Sequence, residues 1–246
     1  MGRIAQSAAP LIPPQPTLPK LREAAAACRA CPLWKRGTRT VFGEGPPRAR
    51  IMLVGEQPGG AEDSSGRPIA GPAELLLEKA LEAAGIARDA VYATNVVKHF
   101  KRASRGRRRI HEKLTTLEIG ACRPWLDSEI AVVQPELIVC LGAAAAQALL
   151  GRSFRVGVGR GRLTERSGLG PRLMATVHPS SILRSHDDST RRRETARFIS
   201  DLKVAARALL SPSATPAGPR SKRNRAPSSR STRISRRRSS IPRSIP

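Results

Sequence analysis

The sequence predicts an α/β fold, a three-layer α/β/α arrangement in which helices cover both faces of a mostly parallel sheet. Two observations predict it. Short, nearly continuous apolar runs recur at Arg50-Ile-Met-Leu-Val54, Glu136-Leu-Ile-Val-Cys-Leu-Gly142 and Leu173-Met-Ala-Thr-Val177, the pattern of strands buried on both faces. Stretches with helical spacing separate them, and strand–helix alternation implies parallel pairing. A third observation concerns function: unusual polar residues follow these runs, and in such sheets ligands bind beyond the carboxyl ends of the strands.

Each element has a local reason. The first strand stops at Gly55-Glu-Gln-Pro-Gly-Gly60, a turn-forming run. Pro72 suits a first helical turn, Leu75, Leu76, Lys79, Ala80, Ala83 and Ala84 follow helical spacing, and Gly85 is a natural stop. Val91-Tyr-Ala-Thr-Asn-Val-Val97 reads as the next strand. Thr115 with Glu118 forms a capping box that opens a helix to about Val133. The Ala-rich run Ala143–Leu150 reads as a helix, and a last helix runs from about Thr190 to Leu210.

Charge sets the domain limits. The 246 residues carry 44 Lys and Arg against 19 Asp and Glu, a formal +25. Ten of the basic residues and no acid lie in residues 211–246, leaving +15 for the rest. That Ser/Pro/Arg-rich tail has too little apolar surface to offset its ordering entropy and reads as a disordered polycation. It serves either for non-specific, salt-dependent nucleic-acid affinity or simply as a solubilising extension. Residues 1–20 read as a Pro/Ala-rich extension and 21–210 as the folded domain. No run approaches the ~18 apolar residues of a membrane span, and the Pro-rich start lacks a signal-peptide core. With four cysteines, the expectation is a cytoplasmic chain whose thiols serve a metal or cluster rather than disulfides. Nothing points to oligomers, so a monomer is expected.

A second basic cluster, Lys98, Lys101, Arg102, Arg105, Arg107, Arg108 and Arg109, contains no carboxylate, and Ser104 and Gly106 argue for a loop. Such runs are usually solvated surface; here the run ends Arg109-Ile-His111, a titratable nitrogen nucleophile closing a phosphate-seeking segment. Glu56, Gln57, Asn95 and His178 all sit at strand ends. Singly each is more often a turn former or cap; together they point to a site. Cys28-Arg-Ala-Cys31 has chelating spacing. Cys122 can join it, Cys140 lies in an apolar run that suits a core thiol, and His99 can close the set. Zinc and an iron–sulfur cluster remain balanced on this chemistry.

The ordered motifs Cys28-x-x-Cys31, Val41-Phe-Gly-Glu-Gly45, Gly55-Glu-Gln-Pro-Gly59, Gly71-Pro-Ala, Tyr92-Ala-Thr-Asn95, Ala121-Cys-Arg-Pro124 and His178-Pro-Ser-Ser181 resemble the iron–sulfur, family-4-type uracil-DNA glycosylases. Gln57 together with Arg108-Arg-Ile-His111 is similar to the UdgX branch, and the resemblance spans about Leu21 to Leu210. It implies excision of uracil from DNA, with single strands preferred because extrusion costs least there. Asn95 would read the Watson–Crick edge of uracil, and His178 would stabilise charge on the departing base. Gly55 and Gln57 would frame base and sugar, with Ile69, Arg109 and Ser180 completing the substrate contacts. Relatives usually carry an aromatic ring where Ile69 stands, so stacking worth ~1–3 kcal/mol is absent. In the UdgX branch the histidine of the Arg-Arg-Ile-His loop captures the sugar carbon, which implies His111 as nucleophile, Glu56 as its activator and a covalent protein–DNA crosslink. The resemblance also implies a 4Fe-4S cluster on Cys28, Cys31, Cys122 and His99. The competing expectations are a turning-over glycosylase that uses water, and a non-catalytic iron–sulfur DNA-binding module.

Overall fold

The computed structural model describes residues 6–105, 108–164 and 170–210, and over 103–105 and 108–111 the backbone alone. Its elements in chain order are α1 (Leu18–Ala26), β1 (Ile51–Gly55), α2 (Gly60–Ser65), α3 (Pro72–Ala83), β2 (Val91–Asn95), β3 (Arg102–Arg105), β4 (Arg108–His111), α4 (Thr116–Val133), β5 (Leu137–Leu141), α5 (Ala143–Leu150), α6 (Val156–Gly159), β6 (Leu163–Thr164), β7 (Arg172–Thr176), α7 (Pro179–Leu183) and α8 (Asp188–Leu210). The main sheet has the order β2-β1-β5-β7-β6. Its first four strands run parallel, and only β6 is antiparallel to its neighbour.

Strand alternation divides the side chains between two cores. Met52, Val54, Tyr92, Ile138, Cys140, Leu173 and Ala175 pack with residues of α1, α4 and α5. Ile51, Leu53, Val91, Ala93, Leu137, Val139 and Met174 face α3 and α8. This is the three-layer α/β/α fold expected from the apolar runs, with period-two strands buried on both sides. The capping box also forms: Thr115 Oγ1 accepts from the Glu118 N–H, and the Glu118 carboxylate accepts from the Thr115 N–H at 2.7 Å. The Val41–Gly45 motif has a structural role, since Glu44 and Ala93 exchange both backbone hydrogen bonds at 2.8 Å along the outer edge of β2. An edge strand covered this way offers no template for another chain.

Three features differ from the sequence expectation. The basic segment is not an open loop: β3 and β4 form an antiparallel hairpin that pairs Arg102 with His111 and Arg105 with Arg108. The boundary expected at residue 20 falls inside α1, and the preceding segment is joined to the domain. Ala8 is fully buried, and the Gln6 and Ala8 N–H groups donate to the carbonyls of Ala30 and Ala121. Lys98 and Lys101, counted in the phosphate-seeking cluster, are buried inside. The chain divides into Met1–Ser213 and Ala214–Pro246, and the tail expected to be disordered lies outside the described residues.

Candidate active site

β1 and β2 diverge from β5 and β7 in chain order, so the switch point of the sheet lies between β1 and β5. A cavity of about 550 Å3 opens beyond these strand ends, and Glu56, Gln57, Pro68, Phe100, Gly142, His178 and Ser180 are among its lining residues. Of the expected site residues, Glu56, Gln57, His178 and Ser180 line this one cavity. Glu56 is half-buried, and its carboxylate makes no hydrogen bond to the described residues.

His178 caps α7. The Ser180 N–H donates to its Nδ1 at 3.1 Å. A nitrogen that accepts carries no hydrogen, so the ring proton resides on Nε2 and the imidazole is neutral in this arrangement. Nε2 faces the end of β1: a methyl group placed on Gly55 would lie 3.7 Å from it and 2.3 Å from Asn95 Oδ1. Gly55, Asn95 and His178 therefore converge on one point.

Asn95 lies just beneath the cavity, almost fully buried, and its Nδ2 donates to the Pro68 carbonyl at 2.8 Å. That bond uses one of the two amide hydrogens and fixes the plane, leaving a donor and Oδ1 on one edge. Below it is a buried polar network. Glu129 of α4 accepts from Gly43 N–H at 3.0 Å, from Tyr92 Oη at 2.9 Å, from Thr94 Oγ1 and from Lys98 Nζ. Lys98 Nζ also donates to Thr94 Oγ1 at 2.6 Å and to the Asn95 carbonyl at 2.8 Å. Burial and the neighbouring carboxylate push the Tyr92 phenol up, so it serves as a donor.

Other expected residues sit elsewhere. Ile69 packs in the core with Leu53, Leu77 and Leu81 and does not line the cavity. Phe100 does, and sequence reasoning missed it; the available signal was an aromatic residue immediately beyond a strand and its adjoining His99. The side chains of Arg109 and His111 lie outside what is described, but their backbone places them on β4. The Gln57 carboxamide is bonded to the base of the hairpin: Oε1 accepts from Lys101 N–H at 2.7 Å and Nε2 donates to the Glu112 carbonyl at 2.8 Å.

The thiols of Cys28, Cys31 and Cys122 are buried and close enough to act on one another electrostatically. Trp125 Nε1–H donates to Cys28 Sγ at 3.4 Å and Lys98 N–H to Cys122 Sγ at 3.3 Å. Burial pushes the Cys122 thiol up to about 12 and raises Cys31 as well, so thiolates here need a compensating cation. His99 is pushed down to about 4 by burial, partly offset by Asp63, and is neutral. Thr40 gives its hydroxyl hydrogen to the Ala25 carbonyl and so accepts from His99 Nε2 at 3.0 Å. That bond occupies Nε2 and leaves the Nδ1 lone pair outside it. Cys140 sits in β5, raised to about 12 by burial alone, as a core thiol. Among the described residues, no three His, Cys, Asp or Glu side chains gather around one point as a single metal ion requires.

Residues 42–203 match the family described as Uracil DNA glycosylase superfamily. The chain is 37% identical over 173 residues to a Type-4 uracil-DNA glycosylase from Pyrobaculum aerophilum, covering 68% of this chain and 85% of that protein. It is 38% identical over 166 residues to a Type-4 uracil-DNA glycosylase from Thermotoga maritima, covering 67% and 82%.

Proposed function

Since the chain belongs to the uracil DNA glycosylase superfamily, we propose that it excises uracil from DNA and that its own His111 then captures the sugar. The observation that carries the excision is the convergence of Gly55, Asn95 and His178 beside a cavity lined by Glu56. The extruded uracil enters that cavity, most cheaply from a single strand. Oδ1 of Asn95 accepts the ring N–H, and the second Nδ2 hydrogen reaches the adjacent carbonyl. Cytosine presents the opposite pattern and leaves the amide unpaired.

The C1′–N1 bond breaks with its electron pair leaving on uracil, and the charge gathers on a carbonyl oxygen that the neutral His178 Nε2–H faces. The sugar carbon is left cation-like beside the Glu56 carboxylate. In the covalent reading, a lone pair of the His111 imidazole forms a bond to C1′, and the ring hydrogen of the resulting imidazolium passes to Glu56. A tethered nucleophile reaches an effective molarity on the order of 10⁵ M or more, above that of water. A carbon–nitrogen bond to imidazole leaves poorly, so the reaction is single-turnover. The competing reading, for a chain similar to Type-4 uracil-DNA glycosylases, is a turning-over enzyme that uses water.

One experiment separates these readings. Single-stranded uracil-containing DNA is incubated with the protein, and the mixture is denatured with heat and detergent. A slower-migrating adduct that disappears in His111→Ala is the expected result. An alkali-labile abasic site without adduct sinks the covalent step and keeps the glycosylase; neither product sinks both and leaves the binding module.

For the metal centre, three buried thiols with N–H donors aimed at sulfur and a neutral histidine fit a 4Fe-4S cluster on Cys28, Cys31, Cys122 and His99. When bound, it would supply the cations that hold these thiolates, tying the residues after α1 to α4. The expected protein is brown, contains iron by metal analysis and loses colour in Cys122→Ser; a colourless protein with stoichiometric zinc would overturn the assignment. The protein is proposed to act as a cytoplasmic monomer on DNA, with the tail adding non-specific affinity.

A further inference from the structure

The aromatic side chains Phe42, Tyr92, Phe100, Trp125 and Phe198 are buried, and Phe154 packs against a core cluster. Among the described residues, Trp34 is the one aromatic that stays half-buried outside both cores. Its ring has charged neighbours instead: the Arg29 guanidinium carbon lies 4.8 Å from the ring centroid and Lys35 Nζ 5.5 Å. Between Glu23 and Glu44 the chain has no carboxylate, and Arg29, Lys35, Arg36 and Arg39 are all exposed. A single surface ring is ordinary. A ring set among four cations has the composition of a surface that binds a nucleic-acid strand.

The same segment borders the site. Arg36 Nη1 pairs with Glu112 Oε2 at 2.6 Å, next in sequence to His111. Thr38 is bonded twice to Asp63 of α2, its N–H donating to Oδ1 at 2.8 Å and its hydroxyl to the carbonyl at 2.9 Å. A methyl group on Gly37 would lie 3.3 Å from the Phe100 backbone nitrogen, and one on Gly66 would lie 3.3 Å from Arg39 Nη1. Phe100 lines the cavity, and so does Pro68, two residues after Gly66. The stretch from Trp34 to Arg39 therefore runs along the flank of the cavity, against the base of the hairpin, α2 and the loop that carries Pro68.

We infer that this stretch is a contact surface for the single strand flanking the extruded uracil, with Trp34 as a platform on which a flanking base stacks and Lys35 and Arg39 as contacts to its phosphates. Arg36 is engaged with Glu112, whereas Lys35 and Arg39 form no ion pair with the described residues. Arg29 and Lys35 hold the indole by cation–π attraction and bring positive charge to either side of a stacked base. A duplex keeps its bases stacked on one another and offers none to the indole; a single strand does. The inference rests on the reading that the chain acts on DNA, and it adds to that reading where the flanking strand lies and why a single strand is favoured.

The test uses the full chain with a uracil-free thymidine oligonucleotide and with a uracil-free duplex of the same length, so it does not depend on excision. Trp34 reports directly, because the other tryptophan, Trp125, is fully buried. Titration with the single strand should change the Trp34 emission and protect it from quenching by iodide. Trp34→Ala should weaken single-strand binding by roughly 5- to 150-fold, the range for one stacked base, and weaken duplex binding far less. Trp34→Phe should keep most of the affinity and lose the emission change. Lys35→Ala combined with Arg39→Ala should reduce the slope of log affinity against log salt by about 1.4, two single-strand phosphates at about 0.7 each. Emission unchanged at saturating single strand, or equal losses for single strand and duplex, overturns the stacking role, and an unchanged salt slope overturns the phosphate contacts. Should Trp34→Ala fail to fold, the emission response of the unmodified chain and the salt slope decide. A chain that binds single strands through Trp34 yet releases no uracil from a uracil-containing strand would sink the glycosylase reading and leave this surface standing.

Discussion

Gly55→Ala is expected to lower the rate of uracil excision by about two orders of magnitude or more while leaving the melting temperature close to that of the unmodified chain. The backbone of Gly55 is extended within β1 and tolerates any residue. What opposes a methyl group is one contact: it would lie 2.3 Å from Asn95 Oδ1, too close for any real pair, with His178 Nε2 next at 3.7 Å. The carboxamide is the movable partner, because β1 is held in the middle of the sheet by β2 and β5. Turning the amide breaks its bond to the Pro68 carbonyl and takes away the edge proposed to read uracil. Each unmatched polar group costs about 1–3 kcal/mol, and two of them correspond to roughly 30- to 10⁴-fold. Single-turnover release of uracil, set beside a thermal melt, checks this. Excision at the unmodified rate would show that Asn95 does not read the base from this position.

The elements that sequence made legible share a property: their signal is local. Apolar runs of strand length gave β1, β5 and β7, and the reciprocal Thr115–Glu118 cap gave the start of α4. The site was legible through topology, since Glu56, Gln57 and His178 each follow a strand and parallel strands end on one edge. The hairpin was not, because Arg102–Arg105 and Arg108–His111 carry no apolar alternation to mark one face as inward. Nor could composition tell a solvated lysine from a buried one. Lys98 looks like its neighbours until Glu129, 31 positions on, is brought against it, and Lys101 until Glu118 is. The N-terminal segment read as an extension because Pro and Ala carry little hydrophobic signal, yet its backbone bonds to Ala30 and Ala121 join it to the domain. Ile69 was placed by analogy with a position that relatives fill with an aromatic ring, and the packing of this chain assigns it to the core beside Leu77. Gln57 lines the cavity, but its partners, Lys101 and Glu112, are visible only in the folded hairpin.

Lys98→Met is expected to destabilise the fold by about 3–5 kcal/mol, and Lys98→Met combined with Glu129→Gln to recover most of that loss. The two side chains are 1% and 0% exposed and form a buried ion pair. Taking one charge away leaves the other uncompensated in a low dielectric, which costs far more than the net worth of the intact pair. The double variant removes both charges while keeping shape. A glutamine oxygen still accepts from Tyr92 and Thr94, whose donors reach the position at 2.9–3.0 Å. For a domain of this size, each kcal/mol moves the melting temperature by about 2–4 °C, so the single variant should melt roughly 6–20 °C lower. The two single variants and the double form a double-mutant cycle, and a coupling energy near zero would show that the pair contributes independently. The same lysine bonds the Asn95 carbonyl through Nζ and Cys122 Sγ through its backbone N–H. Its side chain therefore supports the strand end that presents Asn95, while its main chain supports the proposed cluster ligand. In the double variant, where stability returns but the bond from Nζ to the Asn95 carbonyl does not, excision should remain below that of the unmodified chain. Full recovery of excision along with stability would show that the ammonium holds the core and has no part in positioning Asn95.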